Sequence, residues 1–280
     1  MDGVPEPLVD TAKITSGGPP PDGIPPIDKP TFLPTSDVDF VSDNEPVLAL
    51  EIDGDARAYP IQVMIWHEIV NDTVGGKPVS VTYCPLCNTA VAVDRRVGDR
   101  VLSFGTSGSL YQSALVMYDR QTESLWSHFT GQAIAGVLTG AELDNYPVAT
   151  VAWSTWRETH PDGLVLSRET GHDRDYGRNP YPGYDDIKSS PFLFDGDIDG
   201  RLAAKTRVVG VGLDSTPTAI RLDPLLDAGV VAFDLDGDPA VAWALPGTNS
   251  ALDTNELTDG RDVGATGVFL ANQDGQELTF

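Results

Sequence analysis

Short runs in which apolar and polar residues alternate recur along most of the chain and predict β-strands. Two such runs, at residues 47–52 and 57–59, flank Asp53-Gly54-Asp55, which is typical of a hairpin turn. Residues 79–83 alternate in the same way and continue directly into Cys84. Further strands are predicted at residues 90–93, 101–104 and 115–118.

Three short helices interrupt this strand pattern. Pro60 suits the first turn of a helix, so a helix is predicted over residues 61–66. Longer apolar periodicity predicts a helix over residues 151–160, and a third helix over residues 223–228 is stopped by Gly229. Since strands do not alternate with long helices, the predicted fold class is α+β, rich in β-strands, with antiparallel sheets and a few short helices.

The distribution of proline and of apolar runs predicts three regions. Residues 1–46 hold 10 of the 22 prolines and are expected to form an irregular or extended arm. Residues 47–207 form the predicted core domain. Residues 208–280 are predicted to form a partial second β-unit.

The second β-unit resembles the start of the core and indicates an internal duplication. In the order of their apolar runs, residues 208–214, 219–222, 230–233, 240–242 and 277–280 correspond to residues 47–52, 56–59, 79–82, 90–92 and 101–104. Residues 234–237 then stand where the first copy has its cysteines, so only the first copy carries thiols.

The expected duplication is incomplete at its end. No counterpart of residues 105–126 follows Phe280, which predicts either a shortened version of a longer relative or a partner chain that completes the unit. Leu278 and Phe280 are then expected on an edge strand with partly exposed side chains.

The net charge of the chain limits the classes of molecule that it is expected to bind. With 18 Lys+Arg against 42 Asp+Glu, the formal net charge is −24, and 32 of the 42 acidic residues are aspartates. Such a charge opposes binding to nucleic acid and to anionic membranes. Because the carboxylates are spread along the chain rather than clustered, they are typical of a haloarchaeal surface that stays hydrated in concentrated salt.

Two further features bear on where the protein works. No apolar run approaches the length of a membrane-spanning helix, and the N-terminus has neither the basic nor the apolar region of a secretory signal. A cytoplasmic protein is therefore the default expectation, with a cell-surface location open for longer relatives. Two cysteines in 280 residues exclude a disulfide-rich scaffold.

The CPLC motif of Cys84 and Cys87 is the sharpest chemical signal. Two thiols three positions apart can chelate a soft cation such as zinc or copper, or act as a redox dithiol. The alternative is that both are small buried side chains with a packing role only.

A metal bound by these thiols would need further ligands, because tetrahedral zinc takes four. His67 lies one predicted hairpin before Cys84 and is the first candidate, both as a ligand and as a catalytic helper of the cysteines. His128, in the sequence Leu-Trp-Ser-His, is the second candidate ligand.

The order of these motifs closely resembles the DUF3179 family of bacterial and archaeal proteins, known as uncharacterised. The resemblance is strong over about residues 45–212 and rests on residues 66–72, 81–90, 104–108, 117–126, 131–134, 160–162, 170–176, 180–181 and 208–211. It implies a shared site around the cysteine motif and supplies no reaction. The family usually has Gln where this chain has His128, which implies that His128 is not a ligand throughout the family.

Two functions follow as expectations. The first is a metal- or thiol-dependent protein that uses Cys84, Cys87 and His67, with Arg57, Asp119 and Arg120 either orienting a bound anion or forming structural ion pairs. The second is a non-catalytic ligand-binding or structural module of the cell surface. In that case the cysteines pack and the aromatic-rich loop 176–184 contacts a small molecule.

Overall fold

The computed structural model describes residues 3–211, 217–273 and 276–277. These residues contain 23 strands and three seven-residue α-helices, which confirms the β-rich α+β class. The helices are α1 (Ile61–His67), α2 (Trp153–Thr159) and α3 (Leu222–Ala228), and 3-10 turns lie at Thr11–Lys13, Thr35–Asp37 and Leu257–Asp259.

In chain order the strands are β1 (Ile14–Ser16), β2 (Phe32–Pro34), β3 (Pro46–Ile52), β4 (Asp55–Pro60), β5 (Ile69–Val74), β6 (Lys77–Cys84), β7 (Thr89–Asp94), β8 (Arg96–Val97), β9 (Arg100–Val101), β10 (Phe104–Tyr111), β11 (Ala114–Asp119), β12 (Leu125–Ser127), β13 (Ala133–Ala135), β14 (Asn145–Tyr146), β15 (Val148–Ala152), β16 (Leu164–Leu166), β17 (Val208–Val211), β18 (Thr218–Arg221), β19 (Val230–Leu235), β20 (Asp238–Leu245), β21 (Ala265–Leu270), β22 (Asn272–Gln273) and β23 (Gln276–Glu277).

Three sheets build the larger part of the fold. Sheet 1 has the strand order β1-β10-β11-β12-β13, sheet 2 the order β14-β7-β6-β5, and sheet 3 the order β15-β3-β4-β16-β2. Neighbouring strands in these sheets are antiparallel except β16 and β4. The remaining strands form the hairpins β8-β9, β17-β18 and β22-β23 and the three-stranded sheet β19-β20-β21.

Helix α1 lies at the centre of the main core. Six of its seven residues are buried, because the helix is apolar on nearly every face and packs against sheet 2 and sheet 3 at once. Leu48 and Leu50 of β3 and Val79 and Val81 of β6 belong to the same apolar cluster as Met64 of α1.

Strand β6 separates two cores. Its odd-numbered residues, such as Val81 and Tyr83, face the cluster that contains α1, whereas Cys84 packs into a second cluster with Met117 and Trp126 of sheet 1. Sheet 2 is therefore covered on both faces. The sequence alternation had indicated one polar face, yet Thr82 is as buried as its apolar neighbours.

The proline-rich arm runs in extended form over the sheets. β1 pairs with β10, β2 pairs with β16, and Ile27 forms a parallel bridge with Val70. Gly108 permits the closest approach, because its φ is +75° and a Cβ there would lie 2.0 Å from the Pro19 carbonyl oxygen.

The second unit repeats the element order of the first, and its helix and the two strands after it follow at a constant offset. Helix α3 begins at Leu222 and helix α1 at Ile61, a difference of 222 − 61 = 161 residues. The same difference relates the first residues of β19 and β5 and of β20 and β6, including their lengths. We call residues 47–94 the first unit and residues 208–270 the second unit.

This register corrects the correspondence expected from the sequence. Residues 230–233 match β5 rather than residues 79–82, and residues 234–237 match the β5–β6 turn rather than the cysteines. Position 245, occupied by Leu, stands where the first unit has Cys84. The expectation for Leu278 and Phe280 lies outside the described residues.

The helix predicted over residues 151–160 is shorter than expected. Residues up to Ala152 pair with β3 as part of β15, and the helix occupies only Trp153–Thr159. Strand pairing therefore overrides local helical periodicity at its start.

Candidate metal centre

Both cysteines lie at the tip of the β6–β7 hairpin. Cys84 is the last residue of β6 and pairs with Thr89, the first residue of β7. The intervening turn contains Cys87 and ends at Asn88, whose φ of +49° reverses the chain. The turn therefore holds both thiols at the same end of sheet 2.

His128 reaches this hairpin from sheet 1. It follows the last residue of β12, and its backbone N–H donates to the Leu115 carbonyl of β11 at 3.3 Å. Strand β12 is anchored by Trp126, whose indole N–H donates to the fully buried Asp119 carboxylate at 3.0 Å. Packing of sheet 1 on sheet 2 then brings the imidazole against the thiols.

One ligand atom from each of Cys84, Cys87 and His128 lies within 4.8 Å of the others. Cys84 and His128 are each only 1% exposed, whereas Cys87 is partly exposed. Among the described residues, neither ring nitrogen of His128 makes a hydrogen bond of normal geometry, and the ring has only a weaker polar contact with the Thr82 backbone. A buried imidazole without a well-formed hydrogen bond on either nitrogen is rare in a folded protein.

The electrostatics of the three groups differ. Burial raises the pKa of the Cys84 thiol well above its ordinary value, and the hydrogen bond it shares with Cys87 adds to this. The same hydrogen bond, with a further one from Thr89, lowers the pKa of Cys87. Burial lowers the pKa of His128, so its imidazole is neutral and keeps a lone pair for a ligand.

Glu68 is a polar residue near this cluster that the sequence did not single out. It follows the last residue of α1 with φ +60°, a left-handed conformation that glycine adopts more easily. Its side chain is 6% exposed and shares a hydrogen bond with Tyr181. Burial, followed by the nearby Cys84, raises the pKa of Glu68 to about 8.

The structure does not place His67 with the cysteines. Its Nδ1 donates to the Pro25 carbonyl at 2.6 Å, and its Nε2 accepts from the Tyr176 hydroxyl at 2.7 Å. Both ring nitrogens are therefore used to join the arm, α1 and the loop around Tyr176. The catalytic and ligand roles expected for His67 have no geometric support here.

Three charged residues proposed as anion-orienting groups are held in internal contacts. Arg57 forms ion pairs with Asp55 and Asp72, both at 2.9 Å. Arg120 bridges to Asp22 and Asp28 of the arm.

Asp119, the third of these groups, accepts from Thr122 as well as from Trp126. Its contacts and those of the two arginines fix strands and the arm rather than opening toward the cysteines.

One feature of the sequence bears on Glu68. A helix that leads directly into a strand often ends at a left-handed residue, and glycine is the usual choice. Glu in that position indicates that a carboxyl is retained despite the backbone strain.

Comparison with known proteins identifies one family. The model of the family described as "Protein of unknown function (DUF3179)" matches residues 21–279. No curated protein and no solved structure matches the chain. Among the described residues, none of the helices has the length and apolar character needed to cross a membrane.

Proposed function

This chain belongs to the DUF3179 family, and from that premise we propose that it binds one zinc or copper(I) ion through Cys84, Cys87 and His128. The family supplies no reaction, so the proposal rests on the chemistry of these three side chains. It concerns this chain and is not extended to the family.

The observation that carries the proposal is the state of His128. Its imidazole is buried within reach of two thiols, and among the described residues neither ring nitrogen makes a hydrogen bond of normal geometry. Leaving a buried polar group unpaired costs on the order of 1–3 kcal/mol. A metal ion bound to one ring nitrogen and to both sulfurs would remove part of that cost.

The donor set favours soft or borderline metals. Two thiolates and one imidazole suit zinc and copper(I) and discriminate against magnesium and calcium, which prefer oxygen ligands. Three protein ligands complete a trigonal copper(I) site, whereas tetrahedral zinc would keep one position for water or another molecule. Burial of Cys84 and His128 would limit access to the bound ion.

Thiol–disulfide exchange is a second candidate, favoured by the opposite pKa shifts of the two cysteines. The partly exposed Cys87, with its lowered pKa, would attack a disulfide of another molecule, and Cys84 would then displace the reduced product. This alternative leaves the buried ring nitrogens of His128 without a role, so metal binding is the better account.

Anaerobic titration of the reduced protein with Co²⁺ tests the proposal. Cobalt takes zinc sites and reports thiolate ligands through intense sulfur-to-metal absorption. We expect saturation at one ion per chain, and at least about a hundredfold weaker binding by His128→Gln. The matched control His160→Gln, at a histidine outside the cluster, should bind as the wild type does.

Two results would contradict metal binding. One is saturation without thiolate absorption. The other is equal affinity in wild type and His128→Gln. Rapid formation of a Cys84–Cys87 disulfide with a mild disulfide oxidant, together with absent metal binding, would favour the exchange reaction instead.

We also propose that the acidic surface is adapted to high salt, because the net charge of −24 is spread along the chain. At 1 M salt the Debye length is about 3 Å, so repulsion between exposed like charges that are farther apart than this is largely screened. Thermal melts should therefore shift upward between low and molar KCl. A flat or falling melting temperature would reject this adaptation.

A further inference from the structure

A cavity of about 290 Å³ opens beside the cysteine hairpin. Ile24 of the arm, Leu115 of sheet 1, and Tyr181 and Phe192 of the loop after the core strands contribute to its walls. The volume lies near the lower end of the range for small-molecule sites.

The cavity lies beside the proposed metal site, and neighbouring residues connect it to the ligands. Leu86, which lies between the two cysteines, lines it. Leu115 lines it as well, and the backbone of Leu115 hydrogen-bonds both to the Cys84 sulfur and to the His128 N–H. A molecule in the cavity would thus contact Leu115, whose backbone is hydrogen-bonded to two of the three proposed ligands.

Glu68 is the acidic group of this cavity. Glu68 lines the wall, is only 6% exposed, and has no ion-pair partner among the described residues. An unpaired carboxyl in such a place is kept neutral by the cost of burying its charge. A neutral carboxyl offers an O–H donor, and the Tyr181 hydroxyl shares a hydrogen bond with it.

The backbone at Glu68 supports a ligand-related role. The equivalent residue of the second unit is Gly229, which also has positive φ, at +74°. A non-glycine residue in this conformation costs about 1–2 kcal/mol. The first unit therefore has a strained, ionisable residue at a position that lines the cavity.

We propose that this cavity binds a small, uncharged, largely apolar molecule with one hydrogen-bond acceptor, which Glu68 recognises next to the metal. This inference rests on the proposed function, because the metal site is the reason for a ligand to bind here. The geometry of binding comes from the cavity itself. An anion would meet a buried carboxyl residue, with no basic side chain among the described lining residues. A cation would have to give up its hydration and ionise Glu68.

Three probes that share one ring test the class of ligand: benzamide, benzylamine and benzoate. Titration of the full chain, followed by ligand-detected NMR, should give a dissociation constant for benzamide in the millimolar range or tighter. Benzylamine and benzoate should bind at least about tenfold more weakly, because their charges lose hydration without a charged partner. Equal or tighter binding of either charged probe would overturn the proposed class.

Variants locate the bound probe. Glu68→Gln keeps a donor and should bind benzamide within about threefold of wild type, whereas Glu68→Leu should bind at least about tenfold more weakly. Ser109 also lines the cavity, so Ser109→Trp should abolish binding, and Ser109→Ala should not. Binding that survives Ser109→Trp would place the probe elsewhere and refute the site.

The Co²⁺ spectrum separates this proposal from the metal proposal. Benzamide should change the absorption of the cobalt-loaded protein, because Leu115 lines the cavity and its backbone is hydrogen-bonded to two of the proposed ligands. Binding without a spectral change would refute the link between cavity and metal. If benzamide binds as expected but neither Co²⁺ nor copper(I) binds, the metal site fails while the cavity as a ligand site stands.

Discussion

The first and second units use the same elements, a hairpin, a seven-residue helix and a three-stranded antiparallel sheet, for different ends. The first unit has Cys84, 1% exposed, at the end of β6. The second unit has Leu245, 59% exposed, at the equivalent end of β20. After the helix the first has Glu68 and the second has Gly229. At these equivalent positions, the thiol and the carboxyl thus occur in only one of the two similarly folded units.

The two units differ in which part of the protein packs on them. Sheet 1 packs on the first unit and supplies His128 to the cysteine hairpin, so the thiols are buried in an apolar cluster. In the second unit the corresponding end of β20 is exposed. Of the two units, the first is the one in which a neighbouring sheet buries the hairpin and places a histidine beside it.

The largest effect is expected from removing the thiols of the first unit. Replacing both Cys84 and Cys87 by Ser should weaken zinc binding by at least about a thousandfold, because thiolates supply most of the binding free energy of such sites. The matched change in the second unit, Leu245→Ser, should leave zinc affinity unchanged. Competition titration against a chromophoric chelator measures both. Comparable loss in the two variants would mean that the units do not differ in this way.

A smaller effect is expected from acid. Burial lowers the pKa of His67 to about 4, from an ordinary value of 6.5. The unfolded chain therefore binds a proton at higher pH than the folded chain does. The stabilising contribution of neutral His67 is present above pH 6.5 and is lost as the pH falls toward 4.

Urea unfolding of wild type and His67→Gln measures this contribution. The difference between their free energies of unfolding should shrink by up to about 3 kcal/mol between pH 7 and pH 4, at about 1.4 kcal/mol per pKa unit. The equivalent residue of the second unit is Ala228, and Ala228→Gln should show the wild-type pH dependence. A difference between wild type and His67→Gln that does not change with pH would show that His67 has the same pKa in the folded and the unfolded chain.

The smallest effect concerns the left-handed residues after the two helices. Glu68→Gly should raise the free energy of unfolding by about 1 kcal/mol, since it relieves a strained backbone and a buried carboxyl. Gly229→Glu should lower it by a similar amount. Chemical denaturation of both variants checks the pair. Destabilisation by Glu68→Gly would show that the carboxyl stabilises the fold rather than serving a ligand.

Local features were predictable where local chemistry decides them. The β3–β4 hairpin formed around Asp53 and Gly54, and α1 began after Pro60, because turn residues and proline act within a few positions. The shared order of the two units was also visible. Its register was not, since short apolar strands match one another at several offsets.

The site was only partly predictable, because it depends on packing between distant segments. Cys84 and Cys87 were evident from their spacing, but His128 is more than 40 positions away and joins them only through sheet 1. The nearer His67 looked like the better candidate, yet its ring is occupied by Pro25 and Tyr176. Proximity in sequence is a weak guide when sheets from different regions stack.

Anomalous X-ray scattering from crystals of the zinc- or copper(I)-loaded protein tests the central claim most directly. We predict one strong peak at bonding distance, about 2.3 Å from the sulfurs of Cys84 and Cys87 and about 2.0 Å from one ring nitrogen of His128. A peak confined to surface carboxylates, or no peak at the β6–β7 hairpin at saturating metal, would contradict the account.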